Sequence, residues 1–264
     1  MSDYIEVNKK AWDKRTRVHL DSKFYDVEAF IQGKSSLNQI ERDEVGSVKG
    51  KTLLHLQCHF GQDTLSWARL GAKVTGVDLS SEAISQAKHL AQKIAQDATF
   101  IEQDVYQFGE NNKTQFELVY TSYGVLCWLP DLDKWANTVA KSLKVGGQFN
   151  LIEFHSFIDV LSGYSYFDQT APDVEEEGTY TENCTGETSV MMTWAHSLSS
   201  VINALVKAGI QIESVNEFPY SPYNCFEGLE YVEGKGYQMR YKGQQVPLIY
   251  SIKGRKISLP EGKG

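Results

Sequence analysis

No stretch of this chain approaches the ~20 consecutive apolar residues that a membrane-spanning helix requires, so no membrane partner is expected. The first residues lack a basic region leading into an apolar core, so no signal peptide is expected and the compartment is read as cytoplasmic. Cysteine is scarce: Cys58, Cys127, Cys184 and Cys225 show no CxxC pairing and no regular spacing, which argues against a zinc knuckle or a disulfide framework. They read as free thiols in a reducing environment. Positive charge is also in deficit, with 26 basic against 34 acidic residues and a net charge of -8. Nucleic-acid binders neutralise phosphates with a basic face, and nothing here is denser than Lys9-Lys10 with Lys14, Arg15 and Arg17. That run reads as the solvated face of an N-terminal helix, and a nucleic-acid partner is not expected. Internal repeats and low-complexity tracts are absent.

What is present is a 264-residue chain, enough for one large domain or one domain with an insertion. Residues 1–50 read as an N-terminal helical cap segment carrying Trp12, Phe24, Tyr25 and Phe30. From residue 51 short apolar runs alternate with amphipathic stretches. Strands are predicted at 52–56, 73–78, 99–101, 116–121 and 148–154, with helices between them. Gly71 is placed to end the first of these helices and Ser80 to cap the second. The helix opening at Pro130-Asp131 is expected to run to Gly146-Gly147. Such alternation predicts an α/β fold with a Rossmann-like, doubly wound sheet, mostly parallel and covered by helices on both faces. Residues 156–195, rich in Tyr, Ser, Thr, Glu and Gly, break the rhythm and read as a lid-like insertion within a domain spanning 51–264. A helix ending at Gly209 follows, and the stretch between strands at 210–218 and 247–252 holds glycines and polar residues with too little helix-forming pattern for a crossover helix, so an antiparallel end to the sheet is expected.

In an open parallel sheet ligands bind beyond the carboxyl ends of the strands. The residues to inspect are therefore 57–61, Asp78, Asp104, 121–124 and 153–155. Asp78 ends the second strand about twenty residues past the first turn, where a carboxylate accepts ribose hydroxyls; a helix N-cap is the competing role. Asp104 closes the third strand, where it either accepts from an adenine amino group or caps a helix.

Three runs carry a family resemblance: His55-Leu56-Gln57-Cys58-His59-Phe60-Gly61, Val74-Thr75-Gly76-Val77-Asp78 and Gln103-Asp104-Val105. With Phe116 to Tyr120 and Leu143 to Gly147, the chain over about 50–155 resembles the class I S-adenosylmethionine-dependent methyltransferases. The resemblance implies a seven-stranded sheet whose last strand is antiparallel, S-adenosylmethionine as cofactor, and methyl transfer. Carried over by residue, it makes Gly61 the last glycine of the cofactor loop, Asp78 the ribose carboxylate, Leu79 the apolar neighbour of the adenine, Asp104 and Val105 the adenine-edge pair, and Thr121 the residue under the sulfonium. Gln57 and Cys58 join the cofactor set as loop residues. The chain departs from the family at His55, where an acidic residue is common, and at Gln57 and His59, where glycines are common.

Other classes remain possible on these residues. His55, Cys58 and His59 are zinc-compatible donors, but a strand and its turn do not bring a His-x-x-x-His pair to one face, and no metal is expected. An NAD-dependent oxidoreductase shares Asp78, but His59 obstructs the close backbone approach its pyrophosphate needs. A non-catalytic S-adenosylmethionine-binding regulator is the third reading. For catalysis, in-line methyl displacement needs orientation, exclusion of water and sometimes a base. Candidates are Tyr123 after the fourth strand, His155 at the end of the fifth and His196 at the end of the insertion, with at least one of the two histidines expected to line the pocket. The acidic net charge favours a small-molecule acceptor.

Overall fold

Residues 4–258 are described by the structure, a computed structural model. Residues 1–3, on which the signal-peptide reading and the start of the cap segment fall, and residues 259–264 of the expected 51–264 domain, lie outside the described residues. The chain opens with three helices, α1 (Tyr4–Leu20), α2 (Val27–Ile31) and α3 (Gln39–Val45). It continues with β1 (Thr52–Leu56), α4 (Gln62–Arg69), β2 (Lys73–Asp78), α5 (Ser81–Lys93), β3 (Thr99–Glu102), α6 (Val105–Asn111), β4 (Phe116–Ser122), α7 (Leu132–Ser142) and β5 (Leu143–Phe154). Next come α8 (Phe157–Leu161), β6 (Asp173–Glu177), β7 (Ser189–Thr193), α9 (Leu198–Lys207) and β8 (Ile210–Phe218). Two small hairpins, β9 (Glu230–Val232) with β10 (Gly236–Gln238) and β11 (Arg240–Tyr241) with β12 (Gln244–Gln245), precede β13 (Ile249–Lys256).

Seven strands form one sheet in the order β3-β2-β1-β4-β5-β13-β8. All are parallel except β13, the last in the chain, which runs antiparallel between β5 and β8. The central strands are apolar on both sides because helices cover both faces. Leu54, Leu56, Val119 and Phe149 pack with Trp135 and Val139 of α7 and Val201 and Leu205 of α9. On the opposite face Leu53, Leu118, Tyr120 and Ile152 pack with Trp67 of α4 and Ile40 and Val45 of α3. β1 is flanked by β2 on one side and β4 on the other, so the strand order reverses there and opens a crevice above their carboxyl ends.

Several boundaries differ from expectation. α7 stops at Ser142, and Leu143 already pairs with Phe116, so β5 absorbs the Gly146-Gly147 turn and the helix is shorter than its apolar pattern. β13 runs to Lys256, beyond the apolar segment that advertised it. The insertion contains an antiparallel hairpin, β6–β7, where Asp173 to Glu177 suggested a solvated acidic loop. Its far side is held by the polar face of α1: Asn8 exchanges hydrogen bonds with the carbonyl and amide of Met192, and Lys14 donates to the Thr188 carbonyl.

One carboxylate fixes the rim. Glu153, 5% exposed near the end of β5, accepts from the amides of Gly124, Val125 (2.9 Å), Leu126 (3.2 Å) and Phe154 (2.7 Å). It thereby holds the loop after β4, including the short 3-10 turn Leu126–Trp128. Removing one acceptor from several buried donors leaves each unsatisfied. Glu153→Ala is expected to cost on the order of 3–5 kcal/mol, read as a fall in the urea midpoint with little change in slope; a variant within about 1 kcal/mol of wild type would contradict this role.

Candidate active site

The loop after β1 sits at the reversal point and has an uncommon backbone. Gln57 (φ 57°) and His59 (φ 51°) both lie in the left-handed region, which ordinary side chains avoid. Such geometry persists where surroundings over-determine it, and here the anchor is Asp78. Its Oδ2 accepts from the His59 amide at 2.7 Å and its Oδ1 from the Ser80 amide at 2.9 Å. Burial pushes the Asp78 carboxyl up to about 6, against the opposing pull of those two amides. Each oxygen spends one lone pair on the protein and keeps another for a ligand hydroxyl.

The other rim residues sort by where their polar atoms point. Asp104 caps α6 through Oδ1, which accepts from the amides of Tyr106 (2.9 Å) and Gln107 (3.1 Å), leaving Oδ2 for an outside donor. Val105 follows as the first residue of that helix, so its amide has no partner within the helix. Leu79 is half-buried beside them, and its carbonyl accepts from Lys9 of α1. Gly61 (φ +80°) is held by packing: a Cβ there would come within 2.7 Å of Phe100 and 3.0 Å of Ala87. Cys58 turns its thiol toward Gly76 and the core around Phe100, and burial pushes that thiol well up. Thr121 is fully buried, its hydroxyl bound to the Leu56 carbonyl at 3.1 Å, tying β4 to β1. Gln57 donates to the Val125 carbonyl at 2.8 Å, while its Oε1 is buried with no hydrogen-bond partner.

α1 and the β6–β7 hairpin close over this loop. His59 Nε2 meets His19 Nδ1 at 2.8 Å, and His19 Nε2 meets Thr179 Oγ1 at 2.5 Å. His59 Nδ1 is buried and without a partner. Burial, with the nearby Arg15 guanidinium, lowers both imidazoles, His19 to about 3. Around them stand Trp12 and Trp128, with ring centroids 5.2 Å apart, and Tyr25, stacked on His19 at 5.0 Å. Tyr25 also shares a hydroxyl contact of 2.5 Å with Tyr180. Of these, His19 was not flagged by sequence reasoning: it lies mid-segment in a polar helix, and the only local signal was its spacing of seven from Trp12, two turns along one face.

The three catalytic candidates each make their own contacts. Tyr123 (φ 45°) packs on Phe154 and Tyr223, with its hydroxyl buried, unbonded and facing Glu41. His155 is saturated: Nδ1 accepts from the Phe157 amide at 3.1 Å and Nε2 meets Glu217 at 2.8 Å. His196 meets the Leu129 carbonyl through Nε2 at 2.7 Å, leaving Nδ1 buried without a partner. Among the described residues no group of three or more His, Cys, Asp or Glu could hold a metal ion, and no helix is long and apolar enough to cross a membrane.

A sheet of this order, with carboxylates closing β2 and β3 at the reversal point, defines a class I S-adenosylmethionine-dependent methyltransferase fold. Residues 54–149 match the family model described as a methyltransferase domain. It is similar to an uncharacterised methyltransferase of Synechocystis, with 30% identity over 128 residues, 47% of this chain and 57% of that one. It is also similar to a ubiquinone biosynthesis O-methyltransferase of Photorhabdus laumondii, at 27% over 130 residues, 48% and 54% of the two chains. The chain thus spans about half the length of these curated relatives. In fold it is similar to an S-adenosylmethionine-dependent methyltransferase of Clostridium acetobutylicum, with a TM-score of 0.57 at 16% identity, covering 95% and 99% of the chains.

Glu41 adds a titratable element beneath Tyr123. It is fully buried, and burial, reinforced by Asp63, lifts its carboxyl to about 7 from the ordinary 4.5. The folded state therefore binds more protons than the unfolded chain between those values, and stability from this group is full below about pH 4.5 and lost as pH rises to 7. Glu41→Gln should gain on wild type across that window, by on the order of 1–3 kcal/mol at pH 8. Paired denaturation curves at pH 5 and pH 8 would show it; a pH-independent difference would refute the assignment.

Proposed function

We propose that the protein transfers a methyl group from S-adenosylmethionine to a small-molecule acceptor. The observation that carries this reading is the convergence of Asp78, Asp104 and the strained β1 loop on the crevice where the strand order reverses. The residues fit the cofactor: Asp78 would take the ribose hydroxyls with its remaining lone pairs, Asp104 Oδ2 the adenine amino group, and the Val105 amide the adjacent ring nitrogen. Gln57 Oε1, buried and unpartnered, can accept from the methionine ammonium. When bound, the cofactor supplies an activated methyl on a sulfonium.

The chain's own contribution is orientation and dryness. Trp12, Tyr25, Trp128 and Tyr223 present aromatic surface beside the loop, suited to a flat or apolar acceptor. The named O-methyltransferase relative supports a small-molecule acceptor. Tyr123 lies on the acceptor side in this reading, and His59, with His19 and Thr179 behind it, offers a neutral imidazole within the loop. His155, with both ring nitrogens engaged, braces the sheet edge, and His196 braces the Leu126–Trp128 turn. α1 and the hairpin serve as the lid.

Calorimetric titration with S-adenosylhomocysteine, using NAD as comparator, tests the reading. Wild type should bind the former and not NAD, with Asp104→Ala weakened about tenfold by loss of one ligand hydrogen bond. Binding of NAD alone would sink the proposal. Saturating S-adenosylhomocysteine should also slow proteolysis within residues 4–20 and 173–193; identical cleavage patterns with and without it would remove the lid.

A further inference from the structure

Arg15 lies on the inner face of α1 at 9% exposure. Its Nη2 donates to the Gly178 carbonyl at 2.8 Å, and its Nε is buried without an acceptor. Its guanidinium carbon stands 5.6 Å from the ring centroids of both Trp12 and Trp128. No carboxylate among the described residues lies within ion-pair distance of it. Of the acids around it, Glu177 at the end of β6 acts on it only from beyond ion-pair distance, and Glu187 pairs with Lys14. A guanidinium withdrawn from water and left to aromatic faces and one carbonyl is costly, and buried charges are ordinarily paired. The two imidazoles beside it do not compete, because burial and Arg15 itself keep them neutral.

We infer that Arg15 holds a ligand carboxylate, and that this carboxylate is the methionine carboxylate of the cofactor. Trp12 touches both His59 of the β1 loop and Trp128 of the loop after β4. Arg15 therefore stands over the end of the crevice away from Asp78 and Asp104, where the amino-acid part lies when the nucleoside occupies those carboxylates. A planar guanidinium matches a carboxylate with two parallel hydrogen bonds. The lid thus contributes a binding group, in place of the close backbone approach that Gln57 and His59 obstruct. This inference rests on the cofactor assignment above.

The test compares S-adenosylhomocysteine with 5′-methylthioadenosine, which shares the nucleoside and thioether but lacks the amino-acid group. Affinities are measured by calorimetry for wild type, Arg15→Met and Arg15→Lys. Arg15→Met should weaken S-adenosylhomocysteine about thirtyfold or more, the usual scale for removing one partner of a buried charge pair, and leave 5′-methylthioadenosine unchanged. Arg15→Lys should recover part of the loss. Equal weakening of both ligands would make Arg15 a structural brace, and unchanged S-adenosylhomocysteine affinity would leave it no carboxylate; either overturns the inference. Failure of wild type to bind either ligand would overturn the cofactor assignment itself.

Discussion

The carboxylate of Asp78 is the joint on which the candidate site turns. It is the shared acceptor for an amide of the β1 loop and an amide at the start of α5, and so, with the Cys58 amide bound to the Val77 carbonyl, locks the two segments together. The lock is needed because Gln57 and His59 take a backbone conformation that glycine adopts freely and other residues do not. Glycines would meet that demand without strain. Here the demand is met by hydrogen bonding, and the side chains so admitted become available for contacts: Gln57 to the loop after β4, His59 to α1. Asp78 consequently has two duties, bracing the protein and facing the ligand.

The same economy shapes the crown of the molecule. Glu153 organises the loop after β4 by gathering backbone amides, as Asp78 does for the loop after β1. Glu153 is buried and Asp78 partly so, and withdrawal from water raises both against the opposing effect of the amides they accept. Two acids at the ends of β2 and β5 thus substitute for apolar packing where strands end and irregular backbone begins. The aromatic side chains are then free to gather above them.

How much of this was legible follows from the range of each signal. The alternation of apolar runs and amphipathic stretches is local, so the five parallel strands and their helices could be read, as could the Ser80 cap and the turn at Gly71. The antiparallel end was legible because the stretch between its strands holds glycines and polar residues with no helix-forming pattern for a crossover. The β6–β7 hairpin was not, since its charge pattern resembles that of a loop and its partner, α1, lies more than 150 residues away in sequence. At the site, Asp78, Leu79, Asp104 and Val105 stand together on the rim. Gly61, Cys58 and Thr121 owe their identity to buried contacts that no motif reveals. His19 and Arg15 took on meaning only once α1 was seen to lie across the crevice.

That crossing has a consequence for how the cap is held. The inward face of α1 carries Asn8, Arg15, Thr16 and His19, whose hydrogen-bonding partners lie largely on the hairpin around residues 178–192. A helix with so polar an inner side gains little from early collapse onto the nascent sheet. Most of these inner-face partners are supplied by a hairpin more than 150 residues further along the chain. The cap over the crevice thus depends on polar contacts between two segments distant in sequence.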